Sequence, residues 1–467
     1  METKLTENGY TIRKSMCTPK LIKEIKDELS VKPFSFNKNQ GKESGFQVFM
    51  ESPKKLYLPR YYGISRFGAP TINNIECGDD INIQFKGDLR EEQKPIEDLY
   101  ITNAKENGGG IISLKCGGGK TVIALHIISV LKKKAIVIVH KDFLMTQWRD
   151  RIIEFLPNAR IGKIQQNTVD IEDKDIVLAM VQSISMKEYE EDTFQSFGLA
   201  IFDECHHLGA EVFSRSMQKV ASKYMLGLSA TPKRKDGLSK VFEWYIGKLV
   251  YVQKKKNEDY VEVQLIHCNF EDEKYNKEEL NFRKEPCMPR MINNICEYLP
   301  RTEIIISLIK KYHSIGRSIL ILSDRRGHLE CMYKLLKDYS RGYYVGGMKP
   351  DELRESQEKD ILLATFSMAA EGMDIPKLDT VILGSPKSDV EQSVGRIFRK
   401  KACDRTFHPL IIDIQDNFSM FEKQCGKRIT LYNKMNFTLF KDGEEVKKRT
   451  KRKKEEPIQK YALIDDD

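Results

Sequence analysis

A glycine-rich stretch between two apolar runs is the first place where this sequence could do chemistry. Residues 114–121, LKCGGGKT, follow a run typical of a short buried strand and precede TVIALHIISVL, which is typical of a buried helix. A tight loop at the start of a helix presents backbone N–H groups and the positive end of the helix dipole to an anion. Lys120 would reach the outer phosphates of a nucleotide, and the Thr121 hydroxyl would bind Mg²⁺. The loop between the predicted strand and Lys120 contains Cys116, Gly117, Gly118 and Gly119.

One departure from the usual pattern leaves an alternative open. The strict form, G-x-x-x-x-G-K-[ST], requires glycine at position 114, where this chain has Leu114. On this stretch alone, a glycine-rich turn followed by a chance Lys-Thr pair is a less favoured alternative that stays open. A second, independent site has to decide between the two interpretations.

Two adjacent acids provide that second site. Asp203 and Glu204 end the apolar run LAIF, which is typical of a buried strand. A nucleotide-binding sheet needs a carboxylate for Mg²⁺ on a neighbouring strand, and Asp203 would hold the ion directly or through water. Glu204 would orient and polarise the water that attacks the γ-phosphate. A further strand end, LGLSAT, carries Ser229 and Thr231, whose hydroxyls would hydrogen-bond the acidic cluster.

Two arginines near the C-terminal part of the chain complete the candidate chemistry. If DVEQSVGRIFRK is helical, Gln392, Arg396 and Arg399 fall at spacings of four and three and share one face. Two guanidinium groups on one face would stabilise the charge that develops on a transferred phosphoryl group. The alternative is an ordinary solvated basic helix face. Taken together, the four elements predict that LKCGGGKT is a phosphate loop.

Composition and pattern set the frame for these residues. A chain of 467 residues with a net charge of +9 predicts several domains and favours a polyanionic partner. The ten cysteines show no C-x-x-C pair, no apolar run reaches about 18 residues, and the N-terminus lacks a signal-peptide core. We therefore expect a soluble, intracellular protein without a zinc or disulfide framework. Trp148 is predicted to be a packing residue.

Strand-like and helical runs alternate in two long stretches of the chain, which predicts an α/β fold with parallel sheets covered by helices. The expected division is an N-terminal accessory domain at 1–85, a first lobe at 86–255, a connecting segment at 256–299, a second lobe at 300–440 and a basic, disordered tail at 441–467.

The order of the motifs resembles that of the superfamily 2 helicases. From about residue 86 to 435 the chain contains, in this order, LREEQ, LKCGGGKT, HKDFLMTQW, DECHH, SAT, ATFSMAAEGMD and QSVGRIFR. The resemblance implies two tandem RecA-like lobes that use ATP and Mg²⁺ and bind nucleic acid. It places Gln93 at the adenine, Gly372 and Asp374 at the nucleotide and ribose, and gives His206 a coupling role. The positions that it implies for contact with the nucleic-acid backbone are His140, Lys141, Gln147, Ser183 and Thr365.

Finer features resemble one branch of that superfamily. Asp-Glu-Cys-His and Gln-x-x-Gly-Arg-x-x-Arg look like the DNA helicases related to the excision-repair subunit of a general transcription factor and to phage recombination helicases. Further stretches, among them SATPKRKDGLSKVF and SPKSDVEQSVGRIFRK, resemble helicases of large cytoplasmic DNA viruses, of the poxvirus transcript-release type. This implies translocation on single-stranded or duplex DNA in the 3′ to 5′ direction, with a transcription complex as a further partner.

Several alternatives stay open from sequence. A translocase without strand separation, an RNA helicase and an ATP-gated nucleic-acid clamp would share most of these motifs. A viral protein of this kind would act in the host cytoplasm, a virus factory or the virion, whereas the basic cluster KKRTKRKK is also compatible with a nuclear address. The oligomeric state cannot be inferred from the sequence.

Overall fold

The structure is a computed structural model of the chain. It describes residues 2–32, 45–114, 118–190, 192–205, 210–230, 237–253, 260–373, 375–400 and 402–446. The chain divides into two compact units, Met1–Lys255 and Lys256–Asp467. Each unit is described by itself below.

The first unit begins with a small, mainly antiparallel sheet. Its elements are β1 (Thr3–Thr6), β2 (Gly9–Arg13), α1 (Pro19–Glu28), β3 (Ser30–Val31), β4 (Phe46–Gln47), β5 (Met50–Glu51), β6 (Lys55–Leu58), α2 (Arg60–Phe67) and β7 (Ile72–Asn73). The strand order is β5-β6-β2-β1-β7, while β3 and β4 pair separately. Helix α1 starts where the Thr18 side chain accepts a hydrogen bond from the Leu21 N–H and Pro19 occupies the first turn.

This N-terminal sheet packs onto the larger part of the first unit. The Tyr62 ring meets Trp244 edge-on at 5.5 Å, and the Tyr245 hydroxyl donates to the Val48 carbonyl at 2.7 Å. Arg60 donates to two main-chain carbonyls of residues 222 and 223. Because buried residues of both parts belong to one hydrophobic cluster, the N-terminal sheet is an integral part of the first unit.

The rest of the first unit is a parallel sheet covered by helices. Its elements are α3 (Lys94–Asn107), β8 (Gly109–Ser113), α4 (Lys120–Leu131), β9 (Ala135–Val139), α5 (Asp142–Phe155), β10 (Ile161–Gln165), β11 (Thr168–Asp170), β12 (Ile176–Met180), α6 (Val181–Met186), β13 (Leu199–Phe202), α7 (Ala210–Lys219), β14 (Tyr224–Ser229), α8 (Ser239–Ile246) and β15 (Leu249–Val252). The order is β11-β10-β12-β9-β13-β14-β8-β15, and β11 runs antiparallel at one edge. The central strands β9 and β13 are buried along their whole length, as expected for parallel strands with helices on both faces.

The second unit repeats this architecture. Its elements are β16 (Glu262–Cys268), α9 (Met288–Glu297), α10 (Leu299–His313), β17 (Ile319–Leu322), α11 (Arg326–Leu335), β18 (Arg341–Tyr344), α12 (Pro350–Gln357), β19 (Ile361–Ala364), α13 (Phe366–Gly372), β20 (Thr380–Leu383), α14 (Glu391–Val394), β21 (Leu410–Asp416), α15 (Ser419–Lys434), β22 (Thr438–Lys441) and β23 (Glu444–Glu445). The order is β18-β19-β17-β20-β21-β16-β22-β23. The predicted α/β class, with two tandem parallel-sheet lobes, is confirmed.

Three elements lie where the charge pattern alone indicated a connection or a tail. Strand β16 and helix α9 fall inside residues 256–299, and β16 pairs in parallel with β21 over its full length. Strand β23 falls inside the predicted tail, whose residues from 447 onward lie outside the described ranges. Alternating buried positions along β16 explain why a charged stretch can still supply a central strand.

Candidate nucleotide-binding and catalytic site

The phosphate-loop candidate opens helix α4 at the carboxyl end of β8. Gly119 precedes the helix in the left-handed region, with φ of 79°, and a Cβ at this position would lie 2.1 Å from the Gln93 amide nitrogen. The positive φ favours glycine, and a side chain here would also have to shift the end of Gln93. Lys120 and Thr121 form the first turn of α4, where the helix dipole favours an anion. Cys116 and Gly117 lie outside the described residues.

Leu114, the departure from the strict pattern, is a core residue. Its side chain is buried in the cluster that lies under β8 and α4, and its N–H donates to the Ser229 carbonyl at 3.0 Å. Hydrogen bonding to β14 therefore extends one residue beyond the end of β8, to the position where the usual pattern has glycine. The first glycine of the pattern is replaced here by a side chain that packs.

Gln93 lies against the loop. Its side-chain nitrogen donates to the Gly118 carbonyl at 3.3 Å, and its side-chain oxygen accepts from the Arg90 N–H at 3.0 Å. The residue is buried at the start of α3. The structure thus brings Gln93 to the phosphate loop, while its contact with adenine remains a prediction.

The predicted lysine and glutamate form an ion pair. The Lys120 ammonium contacts the Glu204 carboxylate, and the two side chains are only 12% and 15% exposed. The second oxygen of Glu204 accepts from the Ala230 N–H at 3.2 Å. The Glu204 backbone has φ of 47°, in the left-handed region that is strained for a residue with a side chain. Residues 84 positions apart in the chain therefore meet at one point.

Asp203 lies beside this pair and is almost completely buried. One carboxylate oxygen accepts from the Glu204 N–H at 2.9 Å, and the other accepts from the Trp148 indole N–H at 2.8 Å. Burial, followed by the charge of Glu204, raises the pKa of Asp203, while the Lys120 ammonium and the Trp148 N–H act in the opposite direction. The two carboxylates and one ammonium form a compact charged cluster at the carboxyl end of β13 and the start of α4.

Trp148 is the functional candidate that the sequence analysis missed. It is 1% exposed and does pack as predicted, but it also fixes one oxygen of Asp203. A signal was available, because a buried indole N–H almost always finds an acceptor. Its acceptor could not be identified without the orientation of α5.

The predicted coupling residues are only partly described. Ser229 ends β14 and is buried, and the N–H of the next residue, Ala230, donates a hydrogen bond to Glu204. His206 and Thr231 lie outside the described residues. The Ala230 N–H therefore links the acidic cluster to the segment that follows β14.

In the second unit, both predicted arginines turn toward the end of α13. Arg396 donates to the Met373 carbonyl at 2.9 Å and contacts the Ala370 carbonyl, and Arg399 reaches the same Met373 oxygen at 3.5 Å. The expected continuous α-helix is corrected, because α14 ends at Val394 and a 3₁₀ turn follows over Gly395–Phe398. The guanidinium groups still share one acceptor. Gln392 is half-buried in α14, Gly372 ends α13, and Asp374 lies outside the described residues.

Most of the predicted nucleic-acid contacts lie at the carboxyl edges of the sheets. His140 follows β9, and its carbonyl accepts from the Gln182 side chain at 3.1 Å, just after the neighbouring strand β12. The Ser183 hydroxyl accepts from the Gln166 N–H at 2.9 Å. In the second unit, Thr365 follows β19 and its hydroxyl lies 3.3 Å from that of Ser367. The remaining two are half-buried: Lys141, whose ammonium lies 5.9 Å from the Phe143 ring centre, and Gln147 in α5.

The described groups suit a nucleoside triphosphate with a divalent cation. The start of α4 and the Lys120 ammonium offer positive charge to phosphates. Asp203 and Glu204 offer the oxygen ligands that Mg²⁺ prefers, and the Thr121 hydroxyl stands one residue after Lys120. Glycine at 119 keeps the loop backbone free of a side chain that would fill it.

Comparison with known proteins agrees with this geometry. Residues 84–234 match the family described as type III restriction enzyme, res subunit, and residues 300–401 match the helicase conserved C-terminal domain. A protein of Acanthamoeba polyphaga mimivirus, named as an ATP-dependent RNA helicase, is 35% identical over 94% of this chain and 87% of its own length. A protein of Invertebrate iridescent virus 6, named as a helicase, is 26% identical over 76% of this chain and 83% of its own. A protein of African swine fever virus, named as an ATP-dependent RNA helicase, is 23% identical over 75% of this chain and 73% of its own.

The fold, the paired lysine and acids, and these matches define an ATP-hydrolysing helicase. The chain belongs to the superfamily 2 helicases, within the group found in large DNA viruses. Such an enzyme binds nucleic acid. None of the helices in the described ranges has the length and apolar character that crossing a membrane requires.

Proposed function

We propose that this chain is a 3′ to 5′ DNA helicase or translocase that couples ATP hydrolysis to the separation or remodelling of DNA strands. The observation that carries the proposal is the cluster of Lys120, Asp203 and Glu204, which the start of α4 and the carboxyl end of β13 bring together. The choice of DNA rests on the Asp-Glu-Cys-His and Gln-x-x-Gly-Arg-x-x-Arg sequences. In a large DNA virus, such an enzyme would serve transcript release, replication or repair.

The contacts in the first unit support a proposed role for each residue of the cluster. Lys120 would leave Glu204 and bind the outer phosphates of ATP, and the backbone from Cys116 to Gly119 would hold the phosphates. Mg²⁺, held by Thr121 and Asp203, would neutralise phosphate charge. Glu204, kept in place by the Ala230 N–H, would then be free to accept a hydrogen bond from the attacking water. Positioning and charge stabilisation are sufficient, because phosphoryl transfer needs no covalent intermediate with the enzyme.

The second unit would contribute the arginines. We assign Arg396 and Arg399 to stabilisation of the charge that develops on the γ-phosphate, with Gln392 beside them. Both arginines donate to the carbonyl of Met373, which lies between Gly372 and Asp374 in the chain. A movement of this segment would therefore also move the two guanidinium groups.

Nucleic-acid contact would use the sheet edges. His140, Lys141, Gln147, Ser183 and Thr365 are proposed to touch the sugar-phosphate backbone. Contact with the backbone suits a motor, because stepping along a strand has to ignore base sequence. His206, Ser229 and Thr231 would relay the state of the nucleotide to these edges.

A second function, RNA remodelling, is favoured by a specific observation. Two of the relatives compared above carry names that describe RNA helicases. The same site would serve either nucleic acid, so the substrate has to be measured.

Steady-state ATP hydrolysis tests both proposals. Turnover would be measured at one fixed salt concentration with no nucleic acid, single-stranded DNA, duplex DNA and RNA, and with Glu204→Gln as the blank. Stimulation by DNA above RNA supports the DNA motor, and stimulation by RNA alone assigns the chain to RNA remodelling. Absence of turnover under every condition would contradict the enzyme and leave an ATP-gated clamp.

A further inference from the structure

The second unit exposes a large aromatic side chain, Phe282, almost completely to solvent. Phe282 is 91% exposed, the highest value among the large apolar side chains of the described residues. It lies at the tip of a hairpin formed by residues 279–287, which we call the Phe282 hairpin. The hairpin falls outside both family matches, which cover 84–234 and 300–401.

The tip of the Phe282 hairpin has a defined conformation. The Asn281 N–H donates to the Glu285 carbonyl at 2.8 Å, and the Lys284 N–H donates to the Asn281 carbonyl at 3.0 Å. The Asn281 side-chain oxygen accepts from the N–H groups of Arg283 and Glu285. Lys284 has φ of 57°, as the last residue of a three-residue hairpin loop commonly does. The main chain therefore presents Phe282 on a fixed turn.

The base of the hairpin is attached to the second unit. The Cys287 N–H donates to the Glu279 carbonyl at 2.6 Å, and the Asn294 side chain of α9 approaches the Glu279 carboxylate at 3.3 Å. A few residues before the hairpin, Tyr275 is buried and its hydroxyl donates to Asp416 at 2.6 Å. The exposed ring is thus carried by a stem that is fixed to the core.

The chemistry of the tip suits a nucleobase. The Arg283 guanidinium lies 5.4 Å from the Phe282 ring centre, and Lys284 follows it in the loop. An exposed aromatic ring accompanied by cations is the usual surface for stacking on bases beside a phosphate backbone. The three residues that follow Phe282 at the tip, Arg283, Lys284 and Glu285, are charged, whereas the partly exposed apolar side chains of Leu280 and Met288 lie at the stem of the hairpin.

We propose that Phe282 stacks on the terminal base pair of a duplex and is the wedge at which the two strands separate. The assignment rests on the proposed function, because a wedge serves only a motor that separates strands. Opening a base pair removes stacking from the bases, and an aromatic ring at the junction replaces part of what is lost. Arg283 and Lys284 would hold the backbone of the strand that is displaced.

The test uses a forked duplex with 2-aminopurine at the junction base pair, with DNA and RNA versions made in parallel. Fluorescence of the full chain bound to the fork, affinity by anisotropy, and the rate of strand separation would be compared between wild type and Phe282→Ala. Ile315→Ala, a change of another exposed apolar side chain in the same unit, is the matched control, and Phe282→Trp is the conservative variant.

We expect wild type, Ile315→Ala and Phe282→Trp to change the 2-aminopurine signal on binding, and Phe282→Ala to lose that change. Strand separation by Phe282→Ala, measured with saturating fork, should fall about tenfold, and affinity for the fork should also fall by about tenfold because one base loses its stacking partner, while ATP hydrolysis stimulated by single-stranded nucleic acid stays within about threefold. Equal signals and rates for Phe282→Ala and wild type would overturn the wedge and leave the proposed function intact, and would direct attention to a protein partner for the ring. A wild type whose ATP hydrolysis no nucleic acid stimulates would instead refute the motor, and the wedge with it.

Discussion

The proposed function requires the ion pair between Lys120 and Glu204 to open before the Lys120 ammonium binds a phosphate. Replacing Glu204 by Gln removes the charge that holds the lysine but keeps a side-chain oxygen that can accept from the Ala230 N–H. The variant should therefore bind ATP more tightly than the wild type, although it should not hydrolyse it. The gain in affinity for ATP measures the free energy that the wild type spends on opening the Lys120–Glu204 ion pair.

The size of the gain can be worked from the burial of the pair. At the effective dielectric of about 20 that describes sites near a protein surface, two charges about 4 Å apart attract by about 4 kcal/mol. Side chains that are 12% and 15% exposed have also given up most of their hydration, which offsets much of that attraction. We expect the pair to have a net stabilisation of about 1.4 kcal/mol, which corresponds to a tenfold lower Kd for ATP in Glu204→Gln than in the wild type.

Displacement of a fluorescent ATP analogue would give the Kd of wild type and Glu204→Gln under identical Mg²⁺ and salt. The matched control is Glu154→Gln, because Glu154 pairs with Arg151 at an exposed position of α5 and should leave the Kd unchanged. An unchanged or higher Kd for Glu204→Gln would refute the reasoning. It would mean that Lys120 does not have to leave Glu204 when the nucleotide binds.

Three further predictions concern single residues. Trp148→Phe removes the N–H that fixes Asp203, so kcat for ATP should fall at least tenfold with KM nearly unchanged; an equal loss in both would indicate general disruption of the site. Arg399→Ala should keep ATP binding and lose turnover by about 10³-fold, and a matching loss of binding would contradict its role. Burial, followed by the charge of Arg301, lowers the pKa of His328 to about 3, so the folded second unit keeps this imidazole neutral where the unfolded chain is protonated. The stabilisation is complete above about pH 6.5 and should decrease by about 1.4 kcal/mol per pH unit below it; hydrogen exchange of the second unit should show this slope, and His328→Gln should flatten it.

The position of the acidic cluster could be predicted because the fold is parallel. Asp203 follows β13 and His140 follows β9, and these strands are neighbours whose carboxyl ends meet at one edge. An apolar run that ends in polar residues therefore locates the edge without any knowledge of the three-dimensional structure. The α/β class and the two tandem lobes follow from the same alternation of strands and helices.

The contacts between distant elements could not be predicted in the same way. Trp148 and Asp203 are 55 positions apart, and their hydrogen bond depends on how α5 is rotated about its axis. The bond from Ala230 to Glu204 depends on the left-handed backbone of Glu204, which no side-chain pattern specifies. For the N-terminal 85 residues, the sequence indicated a small accessory domain, but its packing against Trp244 and Tyr245 could not be predicted.

The two glycine positions of the phosphate-loop pattern show why one departure did not remove the site. At position 114, the chain needs only a residue that continues β8 and fills the core, and Leu114 does both. At position 119, φ is 79° and the end of the Gln93 side chain occupies the space of a Cβ, so glycine is favoured there. The two glycine positions of the pattern therefore differ in how strictly they require glycine. A chain with Gly119 and Lys120 keeps the turn and the charge that the proposed anion site uses even when the first glycine is lost, whereas Gly119→Ala would strain the turn and shift the end of the Gln93 side chain.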